Sequence, residues 1–106
     1  MPVSTRTPVI GVTPVLVIIS NTARRGWRVT FPSAGVFSGN SGLVFMGKNF
    51  PPANTNPPNQ PVDILTPGSE LKENKRYDTD TIFLGDIWLI ASAANQQVIV
   101  EEDLGV

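Results

Sequence analysis

The stretch from residue 15 to residue 31 constrains the fold most, because it reads as two strands joined by a short turn. Its first part, VLVII, is a β-branched run that is too short for a helix and suits a buried pleated surface. Its second part, WRVTF, alternates large apolar and polar side chains, which is typical of a half-buried strand. Asn21 and Thr22 supply turn chemistry, and Gly26 offers a position where positive φ costs little. The sequence therefore predicts a hairpin.

Further apolar runs of strand length follow at intervals of about 8–12 residues, a spacing typical of all-β sandwiches and barrels. They are LVFMG, VDIL, TIFL, DIWLIA and QVIVEE. Both faces of LVFMG and of DIWLIA are expected to be covered, and DIWLIA is expected to pair with QVIVEE in a closing hairpin. No amphipathic helical repeat occurs, and ten prolines disfavour helices. We predict an all-β chain: a single antiparallel β-sandwich, jelly-roll-like or immunoglobulin-like, or a small barrel.

The chain of 106 residues is long enough for one domain with one modest core. Residues 1–14 contain three prolines at a spacing of six and are predicted to form an extended N-terminal arm that orders against a neighbour. The alternative is a frayed terminus. Residues 15–106 are predicted to form the sandwich, so removal of residues 1–12 is expected to leave it folded.

A long loop is predicted over residues 48–61, which hold five prolines and four asparagines. Within it, Phe50 either plugs an edge of the core or projects toward a partner together with Pro51 and Pro52. The sequence contains neither a signal-peptide pattern nor a run of roughly 20 apolar residues, so we expect a soluble chain without a membrane partner.

Charge is divided unevenly between the two halves, although the net charge is only −1. The first 48 residues carry five basic residues and no acid, whereas the remainder carries nine acids and three basic residues. Either the halves share sheets and their charges pair within one subunit, or opposite surfaces of neighbouring subunits meet head to tail.

Groups for catalysis or metal binding are sparse, because the chain has no His and no Cys. Asp78 and Asp80 would face the same way in an extended segment, where they could hold calcium or act as a carboxylate pair in a hydrolase. The segment lacks the glycine-centred spacing of a calcium loop, and a chain this short has little room for the concave site that a hydrolase needs. We therefore predict no catalytic residue, no metal and no cofactor.

The basic residues of the first turn suggest a nucleic-acid-binding patch, in which Trp27 would stack on a base. In a strand, however, Trp27 and Arg28 point to opposite faces, and we predict no nucleic-acid partner. A more ordinary use of Arg24 and Arg25 is an ion pair with an acidic stretch of this or another subunit.

A set of short motifs resembles small structural proteins encoded in tailed-bacteriophage morphogenesis clusters. These motifs are NTARRGWRVTF after an apolar strand, then GSEL, then YDTDTIFLGDIWLIASAANQQVIVEE, and the match covers most of residues 15–102. The chain departs from the pattern at residues 48–61, where related chains look shorter. The shared positions are Asn21, Arg24, Arg25 and Gly26 at the first turn, Gly85 before DIWLI, Ala94 and Asn95 at the last turn, and Val98 and Val100 in the final strand.

The resemblance implies a non-enzymatic virion component assembled in the host cytoplasm, namely a capsid decoration or cement protein that stabilises the head lattice. A head-tail, collar or tail-fibre attachment protein is the alternative, and a carbohydrate-binding module for host attachment, with Tyr77 as its candidate residue, is another. The implied partners are the major capsid protein or other virion proteins and further copies of the chain, with a trimer favoured.

The predicted partner contacts lie in the arm, the first turn and the proline-rich loop. Proline has already restricted the arm and the loop before binding, so ordering them on a partner costs relatively little entropy. The predicted contact residues are Arg6, Pro8, Arg24, Arg25, Phe50, Pro51 and Pro52.

Overall fold

The computed structural model describes residues 3–53, 60–74 and 82–104. Its strands form antiparallel sheets that do not close into a barrel, which confirms the predicted all-β sandwich. The described residues contain no helix, and therefore none that could cross a membrane. The strands are β1 (Val3–Arg6), β2 (Val9–Ile10), β3 (Val15–Ile18), β4 (Gly26–Phe31), β5 (Val44–Lys48), β6 (Asp63–Leu65), β7 (Ser69–Asn74), β8 (Ile87–Ala91), β9 (Gln96–Gln97) and β10 (Ile99–Asp103).

Two four-stranded sheets make the sandwich, with strand orders β1-β10-β4-β7 and β3-β8-β5-β6. The strand pairs are nested in sequence order, with early strands pairing with late ones: β1 with β10, β3 with β8, β4 with β7 and β5 with β6. The short β2-β9 pair keeps the register of the β1-β10 ladder, so β1 and β2 follow one long strand line. A doubled ribbon wrapped into two sheets in this order is a jelly roll, whereas an immunoglobulin domain has a different order.

The predicted hairpins are wrong, because consecutive strands cross between the sheets. β3 lies in the second sheet and β4 in the first, and β8 and β10 are likewise separated. Among the described strands, only β5 and β6 are consecutive along the chain and paired with each other. Gly26 is also corrected: it starts β4 without positive φ, and a Cβ there would lie 3.0 Å from the carbonyl oxygen of Glu73. Close approach of two strands, rather than a turn, requires this glycine.

The core lies between the sheets and follows the predicted alternation. Trp27, Val29 and Phe31 face inward from β4. On β5 both faces are covered, as predicted, because Val44 and Met46 join the core while Phe45 is buried on the outer face. The remaining buried core members are Ile10, Val17, Ile18, Leu65, Ile82, Ile87, Leu89, Ala91, Val98 and Val100.

Two boundaries differ from the prediction. The N-terminal arm is extended, but residues 3–10 pair with β10 and β9, and Ile10 is fully buried in the core. The sandwich therefore begins before residue 15, and removal of residues 1–12 would take away an edge strand and a core side chain. The TIFL strand is also wrong, since residues 82–84 form no strand and Thr81 lies outside the described residues.

Candidate functional site

Three chain connections meet at the end of the sandwich where β1 begins and β10 ends. They join β3 to β4, β5 to β6 and β7 to β8. We call their described parts at this end, residues 19–25, 49–53 and 82–86, the platform. The platform brings together the first turn and the proline-rich loop, two of the three segments in which partner contacts were predicted.

The side chain of Arg24 ties the platform together from beneath. Its guanidinium is fully buried, and Nε donates to Oε2 of Glu102 at 2.9 Å. Nη1 donates to the carbonyl oxygens of Phe83 at 2.8 Å and Gly85 at 3.2 Å, and Nη2 donates to that of Ile19 at 2.7 Å. One planar group with several donors thus reaches three separate segments, which the single ammonium of lysine does not match.

Arg24 is therefore removed from the predicted partner contacts. It is enclosed and its donors are used within the chain, so the ion pair with an acidic stretch of the same subunit is the interpretation that holds. The neighbouring Arg25 is exposed and has no ion pair among the described residues. Its backbone N–H donates to the carbonyl oxygen of Asp103 at 2.7 Å, which fixes the position from which the side chain projects.

A second set of hydrogen bonds joins the platform segments at their backbones. Asn49 and Asp86 exchange two bonds, from the Asn49 N–H to the Asp86 carbonyl at 2.8 Å and from the Asp86 N–H to Asn49 Oδ1 at 3.0 Å. The Asp86 carboxylate also accepts from the Ser20 N–H at 2.7 Å, and the Asn21 N–H donates to the Leu84 carbonyl at 2.9 Å. The platform is therefore ordered before any partner arrives.

The outward side of the platform presents an apolar and a cationic group. Ile19 is 68% exposed, more than any other large hydrophobic side chain among the described residues. Arg25, which follows the turn at residues 22–23, is also exposed. Pro51 is exposed and Phe50 half-buried, so both stay available as predicted contacts. Pro52 is corrected, because it is buried and packs over Gly47 on the outer face of the second sheet.

No family model, curated protein or solved structure matches the chain. A fold by itself does not specify a function, so the surfaces of the molecule have to indicate it.

The other two predicted contacts, Arg6 and Pro8, lie away from the platform along the β1 side of the sandwich. Arg6 ends β1 and is exposed. Pro8 is half-buried at the break between β1 and β2, where its carbonyl accepts from the Val98 N–H at 3.2 Å. Pro8 thus interrupts the strand line formed by β1 and β2, and Arg6 is exposed with no ion pair among the described residues.

Charges of the two sequence halves pair on the outer face of the first sheet. Arg28 in β4 lies between Glu101 of β10, to which its Nε donates at 2.8 Å, and Glu70 of β7 at 3.8 Å. Lys72 pairs with Glu70 at 3.3 Å. The charges of Arg24 and Arg28 are therefore paired with carboxylates of the same subunit, which was the first of the two alternatives for the uneven charge distribution.

Trp27 is buried rather than available for stacking on a base, and its indole Nε1 donates to Glu73 Oε1 at 2.7 Å. Lys48 Nζ lies 5.5 Å from the centre of the Trp27 ring and 5.4 Å from that of Phe83. These aromatic and charged groups close the core beneath the platform.

Candidate ligand residues elsewhere receive no support from the described residues. Within residues 3–53, 60–74 and 82–104, no group of three or more carboxylates or other metal-binding side chains occurs. The predicted calcium or hydrolase candidates, Asp78 and Asp80, and the carbohydrate candidate, Tyr77, lie outside the described residues.

Sequence reasoning missed two buried amides, Asn40 and Gln96, at the opposite end of the sandwich. Gln96 accepts hydrogen bonds from the N–H groups of residues 41–42 and donates to the carbonyls of Gly39 and Ala94, all at 2.9–3.0 Å. Asn40 donates to two further carbonyls at 2.7 and 2.9 Å. Nothing in a local pattern separates such amides from ordinary polar turn residues.

Proposed function

We propose that this chain is a non-enzymatic structural protein of a bacteriophage virion, a capsid decoration or cement protein that binds the head lattice through the platform. The observation that carries the proposal is the hydrogen-bonded platform, made of the described parts of three connections, from which Ile19 and Arg25 project. The resemblance of the sequence motifs to phage morphogenesis proteins supplies the biological setting.

A pre-ordered platform suits attachment to a regular protein lattice. Association costs free energy when residues must be ordered at an interface, and the hydrogen bonds of Arg24, Asn49 and Asp86 already hold the described platform residues in place. Full burial of an isoleucine such as Ile19 contributes about 1.5–3 kcal/mol. The guanidinium of an arginine such as Arg25 binds a carboxylate through two parallel hydrogen bonds, so it would add geometric specificity for an acidic residue of the lattice.

The fold is compatible with this role by analogy, because jelly rolls occur in viral capsid proteins and also in lectins. A carbohydrate-binding role is less well supported, since sugar rings stack on exposed aromatic side chains, whereas Ile19 is aliphatic and the platform's aromatic side chains, Phe50 and Phe83, are half-buried. A head-tail, collar or tail-fibre attachment role would use the same surface, and copy number separates it from decoration.

The copy number of this chain in purified particles, measured by quantitative mass spectrometry against the major capsid protein, tests the setting. A number comparable with that of the major capsid protein supports decoration of the head lattice. A number small relative to it supports the head-tail, collar or fibre role. Absence from the particles would overturn the virion proposal.

Binding of purified protein to particles that lack it tests the surface. We expect Ile19→Asp and Arg25→Glu each to weaken binding at least about tenfold, a difference of about 1.4 kcal/mol, without change in the melting temperature. Val36→Asp is the matched control, because Val36 is 64% exposed in the connection from β4 to β5 and lies on no platform segment. Equal losses in all three variants, or no loss in the platform variants, would contradict the assignment.

A further inference from the structure

Residues 3–10 lie along one side of the last strands of the chain, and we call them the arm. Within the arm, β1 pairs with β10 and β2 pairs with β9. β1 is an outer strand of the first sheet, so no described strand pairs with its other side. The arm is therefore held to the rest of the molecule, which we call the body, through one line of strand pairing.

The body provides a groove that the arm fills. The Ile10 side chain is fully buried in the core. The Pro8 carbonyl accepts from the Val98 N–H at 3.2 Å, and the Thr7 carbonyl accepts from the side-chain amide of Gln97 at 3.1 Å. We call the free sides of β9 and β10, with the space that receives Ile10, the arm groove. Its occupant is known, because the structure shows the arm in it.

A short exposed link, residues 11–14, joins the arm to β3, and we call it the hinge. The Gly11 carbonyl accepts from the Ala91 N–H at 2.8 Å, which is the last hydrogen bond between this part of the chain and the body before β3. Residues 12–14 are exposed, and none of them hydrogen-bonds to another described residue. The arm and β3 are thus connected by a segment that the body does not fasten.

The hinge sequence suits a straight as well as a bent link. In the structure the chain bends at residues 12 and 13. Pro14 keeps the preceding Thr13 in the extended region, so a straightened hinge loses little conformational freedom. Four extended residues span about 13 Å, which is enough to carry the arm from its own body to that of a copy in contact with it.

We propose that copies of this chain exchange arms, so that the arm of each copy fills the arm groove of the other. The groove identifies its partner, because a second copy carries the same residues 3–10 and makes the same strand pairs, the same hydrogen bonds and the same burial of Ile10. Exchange of an identical element is a low-cost route to a dimer. Since every contact between arm and body is kept, the hinge and the protein concentration determine the balance between closed monomer and exchanged dimer.

Arm exchange also changes the surroundings of the hinge. In a two-fold dimer the two hinges run past each other, which brings the Val12 side chains of the two copies together. Val12 is 55% exposed in the closed chain. Burial of this apolar side chain stabilises the dimer and not the monomer. The biological meaning of the exchange rests on the proposed virion role, in which exchanged arms would join neighbouring copies while each platform binds the lattice.

Engineered cysteines test the exchange, because the chain has no cysteine of its own and Thr5 lies directly opposite Glu101. A Thr5→Cys chain and a Glu101→Cys chain are unfolded together in urea, refolded as a mixture and oxidised. We expect a disulfide-linked dimer of one copy of each variant, identified by mass spectrometry. Thr5→Cys mixed with Val36→Cys, an exposed site outside the arm groove, measures oxidation by collision and is expected to give far less linked heterodimer.

Sedimentation velocity of hinge variants tests the same proposal without cysteines. Deletion of Val12 and Thr13 leaves the hinge too short to bend back, so we expect the dissociation constant of the dimer to fall at least about tenfold. Insertion of Gly-Ser-Gly-Ser after Thr13 relaxes the bend and is expected to raise it at least about tenfold. The same insertion after Val36, in the connection from β4 to β5, is the matched control and should leave the dissociation constant unchanged.

Two outcomes overturn the exchange. One is an unaltered chain that stays monomeric at all concentrations and gives no linked heterodimer above the collision control. The other is a dimer whose dissociation constant is the same in both hinge variants, since such a dimer is held by another surface.

The same measurements separate the exchange from the proposed function. The hinge insertion leaves every platform residue unchanged, so its binding to particles reports on the platform. A monomeric unaltered chain that binds particles removes the arm exchange and keeps the virion role. Arm exchange by a chain that is absent from particles removes the virion role and keeps the exchange.

Discussion

Arg24 and Glu102 form an ion pair at 2.9 Å that links the turn before β4 to the last long strand of the chain. The same guanidinium bonds to carbonyl oxygens at Ile19 and Phe83, so three segments far apart in sequence share one buried group. The order of the platform and the closure of β10 are consequently coupled.

Replacement of Arg24 by alanine is expected to lower the free energy of unfolding by about 3–5 kcal/mol, because it breaks a buried ion pair and leaves Glu102 without its partner. Arg25→Ala is the control at the adjacent exposed position, where a change within about 0.5 kcal/mol is expected. Urea denaturation followed by tryptophan fluorescence measures both. Similar losses for the two variants would contradict the role given to Arg24.

Ile10→Ala is expected to destabilise the fold by about 2–5 kcal/mol, because it removes a fully buried side chain from the core. Val12→Ala, two residues later at an exposed position, should change stability by no more than about 0.5 kcal/mol. Thermal unfolding followed by circular dichroism measures the difference. If Ile10→Ala were neutral, the N-terminal segment would be a dispensable arm after all.

Gly68→Ala is expected to cost about 1–2 kcal/mol, because Gly68 has φ of +92° and an L-residue is strained in that region. Gly11→Ala is a close control: a Cβ added at either position would have no neighbouring atom within 4 Å, but Gly11 does not have positive φ. Alanine at Gly11 should leave stability unchanged or raise it by up to about 1 kcal/mol. Chemical denaturation of the pair isolates the backbone effect, and equal responses would contradict it.

Gln96→Glu is expected to cost about 1–3 kcal/mol or more, because it replaces a buried amide that donates to Gly39 and Ala94 by a carboxylate that repels their carbonyls. Gln97→Glu, on the half-buried neighbour whose side-chain amide donates to the Thr7 carbonyl at 3.1 Å, should cost much less. Urea denaturation at neutral pH compares them. A larger loss at residue 97 would place the important amide there instead.

The sequence was informative about strands because burial imposes an alternation that is visible locally. WRVTF placed Trp27, Val29 and Phe31 correctly in the core, and LVFMG correctly indicated cover on both faces. Pairing was not predictable in the same way, since β1 pairs with β10 and β3 with β8 across most of the chain. Local apolar patterns do not encode which distant strand supplies the ladder.

The site was predictable only in part, for a related reason. Arg24 and Arg25 are chemically identical neighbours in a turn, and only the carbonyls brought in from distant segments make one structural and the other exposed. Pro51 and Pro52 are equivalent in the sequence, and Pro52 is buried only because the fold brings it close to Gly47.

The pairing of β1 with β10 also bears on how the chain is made. A ribosome releases β1 and β3 long before their partners β10 and β8, which lie far later in the chain. Until then the segments around Val9, Val12 and Leu16 have no ladder to join, and among the described strands only β5 and β6 can form a hairpin from consecutive strands. Such long-range closure is typical of slowly folding β proteins. The unpaired strands are therefore exposed during synthesis until β8 and β10 have emerged.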